Sequence, residues 1–362
     1  MHMRLVIQSC CSLLIAALLG ATGAVAQQYT VIDLGKLPES SVAHALNNHE
    51  QIAGSTGGAH GDNLTAFFWS GRAAHKIGRP QHSDYSEAFG INNLGQVAGT
   101  ANLLAGMRAF TWSSGQNLTL LAPIAGDSSS GANGINDSGV VAGFSSGPAG
   151  MAAVIWQNGA AQAIVPRRAG NNAAVAINNH GTAAGYAGNG AGQRGFIWNA
   201  AAGVSLLPPL PGDESSQAFA INQQDAAAGV SRDSSGATRA VFWDASGAHN
   251  LGILTGGTHS EAFSINATGW VVGSSGSGLG MRAFLWTPAD GMRDLNTLIP
   301  ADSNIILTSA EAINDAGEIA ATGNLGHDLM NDREVNLDRE NHSGVTRLFL
   351  LVPLQTISGS AK

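Results

Sequence analysis

Eight carboxyl, imidazole and amide side chains stand at or just before the starts of three predicted β-strands. They are Glu87, Gln217, Glu261, His82, Asp84, Asp213, Glu214 and His259. Carboxylates and imidazoles can act as general acids and bases, and they can also orient a polyhydroxylated or cationic ligand. No nucleophile and base can be paired by their spacing, so binding is favoured over catalysis. We therefore predict a ligand-binding site here, with no catalytic residue assigned.

The strands that carry these side chains belong to a repeat. Residues 86–99 read SEAFGINNLGQVAG, and residues 260–273 read SEAFSINATGWVVG. An aliphatic residue followed by Asn marks each unit, at intervals of 42 to 48 residues. The aliphatic marks are Leu46, Ile91, Ile135, Ile177, Ile221, Ile265 and Ile313. Ala stands three residues before every mark, so the chain contains seven units, and a repeat of this length is typical of propeller blades.

Each unit is predicted to contain four short strands. A strand such as EAFGI alternates small with large residues, and an Asn-x-x-Gly turn connects it to a second strand. A glycine-rich loop leads to a third strand such as MRAFTW, and a short turn leads to the fourth. We predict an all-β, seven-bladed β-propeller of four-stranded antiparallel blades. The seventh unit lacks a fourth strand, so YTVIDLG near the N terminus is predicted to close the last blade.

The small residues of the first strand are predicted to be a packing pattern. The repeated Ala lies three residues before the mark, and a Gly, Ala or Ser lies one residue before it. These two positions would share one face of the strand, and the large residues would occupy the other face. Packed sheets need small residues opposite large ones. Ala218 should therefore face the large side of a neighbouring blade.

The first 26 residues resemble a signal peptide. Arg4 precedes the apolar run LLIAALLGA, and small residues end at Ala26. We predict cleavage after residue 26, a single propeller domain over residues 27–362, and a secreted or periplasmic location. Both cysteines lie within the signal, so neither a disulfide nor a thiolate metal site is expected in the mature chain.

The repeat units resemble those of the bacterial extracellular proteins built from HAF repeats. The pattern A-x-x-I-N-x-x-G-x-V-x-G, followed by an Arg-Ala-Phe-x-Trp stretch, is best matched from Ala88 to Trp112. The turn Gly is missing at Glu50 and Asp225. This resemblance implies an exported propeller-like repeat protein, and it implies no catalytic residues.

Composition restricts the expected partners. The whole chain has a formal net charge of −8, and removing Arg4 with the signal makes it more negative. Nucleic acid and anionic membranes are therefore not expected to bind, and we predict a monomer. No cofactor or metal is predicted. Carboxylates in residues 327–341 could contact calcium, but a solvated charged loop is favoured there.

Two interpretations of the first-strand starts remain. The position five residues before each mark is small and polar in all seven units, which suits backbone capping. The next position varies, and rigid scaffolds tend to bind ligands at variable loops of one mouth. We expect an exported scaffold that recognises a saccharide, a cell-surface polymer or another surface protein at this mouth. The alternative is an extracytoplasmic hydrolase or lyase acting on a saccharide or ester.

Overall fold

Seven four-stranded antiparallel sheets make up the protein. The structure is a computed structural model, and it describes residues 28–36, 41–57, 63–71, 73–165, 167, 170–188, 192–326 and 346–354. Each sheet packs on its neighbours, and the first packs on the last, so the blades form a ring. The predicted propeller is confirmed. The predicted signal peptide and residues 327–341 lie outside the described residues, so those two predictions are not tested.

Blades 1 to 4 follow the chain in order. Blade 1 contains β2 (Val42–Leu46), β3 (Ile52–Thr56), β4 (Thr65–Ser70) and β5 (Ala73–Lys76). Blade 2 contains β6 (Ser86–Ile91), β7 (Val97–Leu103), β8 (Gly106–Trp112) and β9 (Thr119–Leu121). Blade 3 contains β10 (Ser129–Ile135), β11 (Val141–Gly147), β12 (Gly150–Gln157) and β13 (Ala160–Ala163). Blade 4 contains β14 (Asn172–Ile177), β15 (Ala183–Gly188), β16 (Gln193–Asn199) and β17 (Gly203–Leu207).

Blades 5 to 7 complete the ring. Blade 5 contains β18 (Ser215–Ile221), β19 (Ala227–Arg232), β20 (Thr238–Asp244) and β21 (Gly247–Asn250). Blade 6 contains β22 (Ser260–Ile265), β23 (Val271–Ser277), β24 (Gly280–Thr287) and β25 (Gly291–Asp294). A short 3₁₀ helix, Leu295–Thr297, follows blade 6. Blade 7 contains β26 (Ile305–Ile313), β27 (Ile319–Leu325), β28 (Arg347–Pro353) and β1 (Tyr29–Lys36).

The N-terminal strand supplies the fourth strand of blade 7. β1 pairs antiparallel with β28, with Tyr29 opposite Pro353 and Asp33 opposite Phe349. The buried Tyr29 ring packs in the core between blades 6 and 7. The predicted closure is confirmed, and it pairs an edge of β28 that would otherwise be exposed.

A β-bulge interrupts the first strand of every blade. In blade 2 the pairing register shifts between Ala88 and Gly90, so Phe89 is the extra residue. The same shift occurs two residues before the mark in the other six blades. A bulge redirects the side chain of its extra residue. The alternation predicted from sequence is therefore wrong at this position in every blade, and blade 7 has a second shift between Leu307 and Ser309.

The repeated small residues have two separate packing roles. The Ala three residues before the mark is fully buried between blades, and Ala218 packs with Leu207 of blade 4 as predicted. The small residue next to the mark instead faces its counterpart in the next blade. A Cβ added to Gly90 would come within 2.9 Å of the Cα of Gly134. Small residues are needed there because the first strands converge on the ring axis.

The repeated Asn residues form a closed ring of hydrogen bonds. The side-chain oxygen of Asn136 accepts from the amides of Ser138 and Val140, which fixes its own turn. Its Nδ2 donates to the backbone oxygen of Asn178 in the next blade, at 3.0 Å. The same donor bond joins every blade to the next, and Asn314 closes the circle on the backbone oxygen of Asn47. All seven Asn side chains are buried.

Two turns lack the repeated Gly and keep the turn geometry. The fourth turn residue has a positive φ of 72° at Gly95, and Glu50 and Asp225 adopt 58° and 59° at the same position. A non-glycine residue in this region is strained, so the surrounding ring must hold these two turns in place.

We expect that removing residues 27–37 will lower the free energy of unfolding by several kcal/mol, because the edge of β28 and the core around Tyr29 become exposed. Urea unfolding checks this. A permuted chain that carries the same segment after Leu354 should recover most of the lost stability. A truncated protein that unfolds like the full-length one would disprove closure by β1.

We expect Asn136→Ala to lower the free energy of unfolding by about 2 kcal/mol, because two turn amides and one buried carbonyl lose their partner. Asn136→Asp keeps the acceptor for both amides but turns an oxygen toward the carbonyl of Asn178. Its stability should therefore fall as pH rises and the new carboxyl ionises. Ser138→Ala, in the same exposed turn, is the control. Unchanged stability in Asn136→Ala would contradict a structural role for the ring.

Candidate functional site

A channel along the ring axis holds two cavities. The first strands all run in one direction, so their starts lie at one end of the channel, which we call the Glu87 end. The Asn-x-x-Gly turns lie at the other end, which we call the Asn-turn end. A cavity of about 160 Å³ lies toward the Glu87 end, and one of about 220 Å³ lies at the Asn-turn end.

The bulged residues form a ring around the cavity nearer the Glu87 end. In blade order they are His44, Phe89, Asn133, Val175, Phe219, Phe263 and Glu311. The residue type at this position varies among the blades, between an Ala and a small residue that hardly vary. His44 and Glu311 lie in adjacent blades, with Phe89 and Phe263 on either side of the pair. Val175 and Phe219 lie across the ring from His44.

His44 is held by a carboxylate of the next blade. Its Nε2 lies 2.8 Å from Oε1 of Glu87, and Ser55 Oγ donates to the same oxygen at 3.1 Å. The hydroxyl of Tyr85 donates to the other carboxyl oxygen. The His44 ring also packs on Phe89, with 4.9 Å between centroids. Glu87 thus fixes the position of His44, while His44 itself lines the cavity.

The two carboxyl groups near His44 have opposite pKa shifts. Burial acts to raise the pKa of Glu87, but the hydrogen bonds from His44, Tyr85 and Ser55 outweigh it and lower the pKa. For Glu311, burial dominates and raises the pKa, against hydrogen bonds from Ser309 and Thr322 and the charge of His44. Paired groups with opposed pKa values are typical of acid–base sites.

The eight side chains predicted for the site do not form one cluster. Glu87 is the member that the structure connects to the cavity, through His44. Gln217 bonds to Gln193 of blade 4, and Glu261 takes the same position in blade 6 without a side-chain hydrogen bond among the described residues. No hydrogen bond within the described residues joins the groups on blades 2, 5 and 6.

The remaining predicted residues lie in the loops that join blades. Asp213 forms an ion pair with Arg239 and accepts from Ser231 Oγ, so its carboxylate supports the blade. Asp84 accepts from the amide of Asn102. His82, Asp84 and Glu214 are exposed, and His259 is half-buried with its Nε2 3.2 Å from the sulfur of Met281.

The repeated serines at the strand starts have a structural role. Ser86 Oγ donates to the backbone oxygen of Gly78 and accepts from the amide of Ala66, so it joins blade 2 to two strand ends of blade 1. Ser130 and Ser216 make equivalent bonds in blades 3 and 5. The capping interpretation of these serines is therefore the correct one.

The Asn-turn end is polar, and its side chains are committed to the scaffold. In six of the seven blades, the side-chain oxygen of the residue after the buried Asn accepts a backbone amide of the preceding blade, and Asp137 accepts the amide of Asn93 at 2.8 Å. Blade 6 has Ala267 at this position. Asn48, Asn179, Gln223 and Asp315 act in the same way. Hydrogen bonds from Asn93 and Asn179 outweigh burial and lower the pKa of Asp137.

Other kinds of site have no counterpart in the residues that the structure describes. They contain no group of three or more His, Cys, Asp or Glu residues suited to a metal ion. None of their helices is long and apolar enough to span a membrane. The sequence GFSSG resembles a nucleophile elbow, but it lies within strand β11 and leads into no helix.

Comparisons with known proteins identify only the fold. No protein-family model matches the sequence, and no curated protein matches it. The structure is similar to catalytically inactive virginiamycin B lyase from Staphylococcus aureus with quinupristin. Identity is 9%, the TM-score is 0.51, and coverage is 90% of this chain and 100% of that one. The β-propeller domain of the Trilobed protease from Pyrococcus furiosus matches with 8% identity, a TM-score of 0.51, and coverage of 88% and 94%.

A third similarity is partial. TolB from Acinetobacter baumannii matches at 14% identity and a TM-score of 0.42, over 56% of this chain and 51% of TolB. The chain thus spans about half the length of TolB.

The resemblance to HAF-repeat proteins stays a prediction, since no family model matches.

We expect Glu87→Gln to reduce stability more at neutral pH than in acid. The folded-state pKa of Glu87 lies below its unfolded value of roughly 4.3, so the carboxylate stabilises the fold above that pH and loses this effect as pH falls. Urea unfolding of both proteins between pH 7 and pH 3 checks the difference. Glu261→Gln, at the same position in blade 6, is the control. A difference that does not shrink in acid would contradict the assigned hydrogen bonds.

Proposed function

We propose that this protein is an exported binding scaffold that recognises its ligand at the Glu87 end of the channel. The observation that carries the proposal is the ring of bulged residues, because it joins an imidazole, a partly buried carboxyl and three phenyl groups around one cavity. Ligand sites combine mostly apolar walls with a few well-placed polar groups.

Hydrogen bonds distinguish the two ends of the channel. At the Asn-turn end, the polar side chains bind the backbone of a neighbouring blade and are needed to hold the ring. At the Glu87 end, Asn133 also binds a neighbouring blade, through its Nδ2 to the backbone oxygen of Ala174 at 2.8 Å. The other six bulged residues make no such side-chain bond to a neighbouring backbone among the described residues, and they include Phe, Val, His and Glu. A position that the scaffold leaves unconstrained can be used for recognition.

The size of the cavity restricts how a large ligand would bind. A volume of about 160 Å³ is below the ~300–1,000 Å³ of sites that enclose a whole small molecule. A saccharide, a cell-surface polymer or a surface protein would therefore lie across the mouth and insert one group into the channel. Export is supported by the signal-like sequence of residues 1–26.

One observation favours a second function. Glu87 and Glu311 have opposed pKa shifts on either side of His44, as the acid and base of a hydrolase or lyase would. An extracytoplasmic enzyme acting on a saccharide or ester at the same cavity is therefore the alternative. The binding scaffold is preferred because no described nucleophile contacts His44.

The two functions are separated by screening the purified protein against a panel of polysaccharides, with calorimetry for binding and mass spectrometry for products. We expect binding without products. His44→Ala and Glu311→Gln should each weaken binding at least tenfold, about 1.4 kcal/mol. Product formation that Glu311→Gln abolishes would establish the alternative instead.

Asp315→Asn is the matched control, because it removes a carboxylate from the same blade at the Asn-turn end. It should bind like the unmodified protein. Loss of binding in Asp315→Asn or Asn93→Ala, with Glu311→Gln unaffected, would move the site to the other end and overturn the proposal.

A further inference from the structure

The chemistry of the cavity at the Glu87 end specifies what it can receive. Its lining contains Glu311 and His44 as ionisable groups, and it contains neither Lys nor Arg. An anionic group would enter without a positive partner from Lys or Arg and would face a carboxyl. The lining therefore disfavours anions.

Glu311 is the carboxyl that an entering group would meet. It is placed on the cavity wall by the bulge of β26, and Thr322 Oγ1 donates to its Oε1 at 3.3 Å. A carboxylate can accept about four hydrogen bonds, so the hydroxyls of Ser309 and Thr322 leave acceptor capacity toward the channel. His44 is already bonded to Glu87. Burial without a dedicated cation raises the pKa of Glu311, and an incoming cation would supply the missing charge.

Three phenyl groups supply the apolar part of the cavity wall. Phe89 and Phe263 flank the His44 and Glu311 pair in the ring, and Phe219 lies farther round. Aromatic rings attract cations within about 6 Å of their centroids, and they exclude water from a carboxylate beside them. Phenyl rings attract an ammonium or guanidinium group through their negative faces, and they pack on a short apolar stem.

We propose that this cavity binds a cationic group, an ammonium or guanidinium on a short alkyl stem, between the carboxylate of Glu311 and the neighbouring phenyl rings. This inference rests on the proposed function and names the chemistry of the inserted group. The ligand would be an amine, or a basic group displayed by a larger partner. The volume of about 160 Å³ accommodates such a group with a few carbon atoms.

The test compares three probes of similar size that differ in charge: butylammonium, 1-butanol and butyrate. NMR titration of the full mature protein measures each dissociation constant. We expect butylammonium to bind at least tenfold more tightly than 1-butanol, and butyrate to bind most weakly. Glu311→Gln should remove the preference for butylammonium while retaining the affinity for 1-butanol.

Two further variants keep the test decisive. Phe263→Leu preserves an apolar wall but removes a ring, so it should weaken butylammonium more than 1-butanol. Asp315→Asn should change neither affinity. Thermal unfolding confirms that each variant is folded.

The outcomes separate this inference from the proposed function. Equal or tighter binding of 1-butanol, sensitive to Phe263→Leu, would overturn the cation preference and leave the cavity as the site. Binding of butylammonium that is lost in Asp315→Asn but not in Glu311→Gln would overturn both. If no probe binds, the cation inference is wrong, and the polysaccharide screen decides the proposed function independently.

Discussion

The structure depends on one buried amide that is repeated seven times. Asn136 and its six counterparts each satisfy two amides of their own turn and donate to the backbone of the next blade. Because the last Asn donates to the first blade, the bonds form a cycle without an end. Aspartate lacks the donor and serine lacks the reach to serve both blades, so the turn chemistry and the ring closure both require Asn.

Close packing of the blades around the axis also determines which first-strand positions can vary in residue type. The Ala before the bulge is limited by packing against the neighbouring blade, as Ala218 is by Leu207. The small residue after the bulge is limited by the next first strand, because a Cβ added to Gly90 would come within 2.9 Å of the Cα of Gly134. The bulged residue between them lines the cavity, and its type varies among the blades. A repeat that is constrained on both sides of one free position can change its binding chemistry there without changing its fold.

Sequence patterns predicted the scaffold well because the scaffold is made of local, repeated signals. The marks at Ile91 and its counterparts gave the number of blades, and the unpaired YTVIDLG segment gave the closure by β1. The site was predicted only through Glu87. His44 and Glu311 were missed because period-two reasoning assigns them to a strand face, and a bulge cannot be recognised from alternation alone. The variability of their position between two fixed neighbours was the available signal.

Packing alone does not explain Glu311. Phe occupies the equivalent position in three blades, so an apolar residue fits there without strain. A carboxyl whose pKa is raised by desolvation destabilises the fold at neutral pH relative to such a residue. Its hydroxyl neighbours, Ser309 and Thr322, compensate only in part, since the net shift remains upward. The scaffold thus keeps on its axis a carboxyl whose charge its own neighbours, Ser309, Thr322 and His44, stabilise only in part.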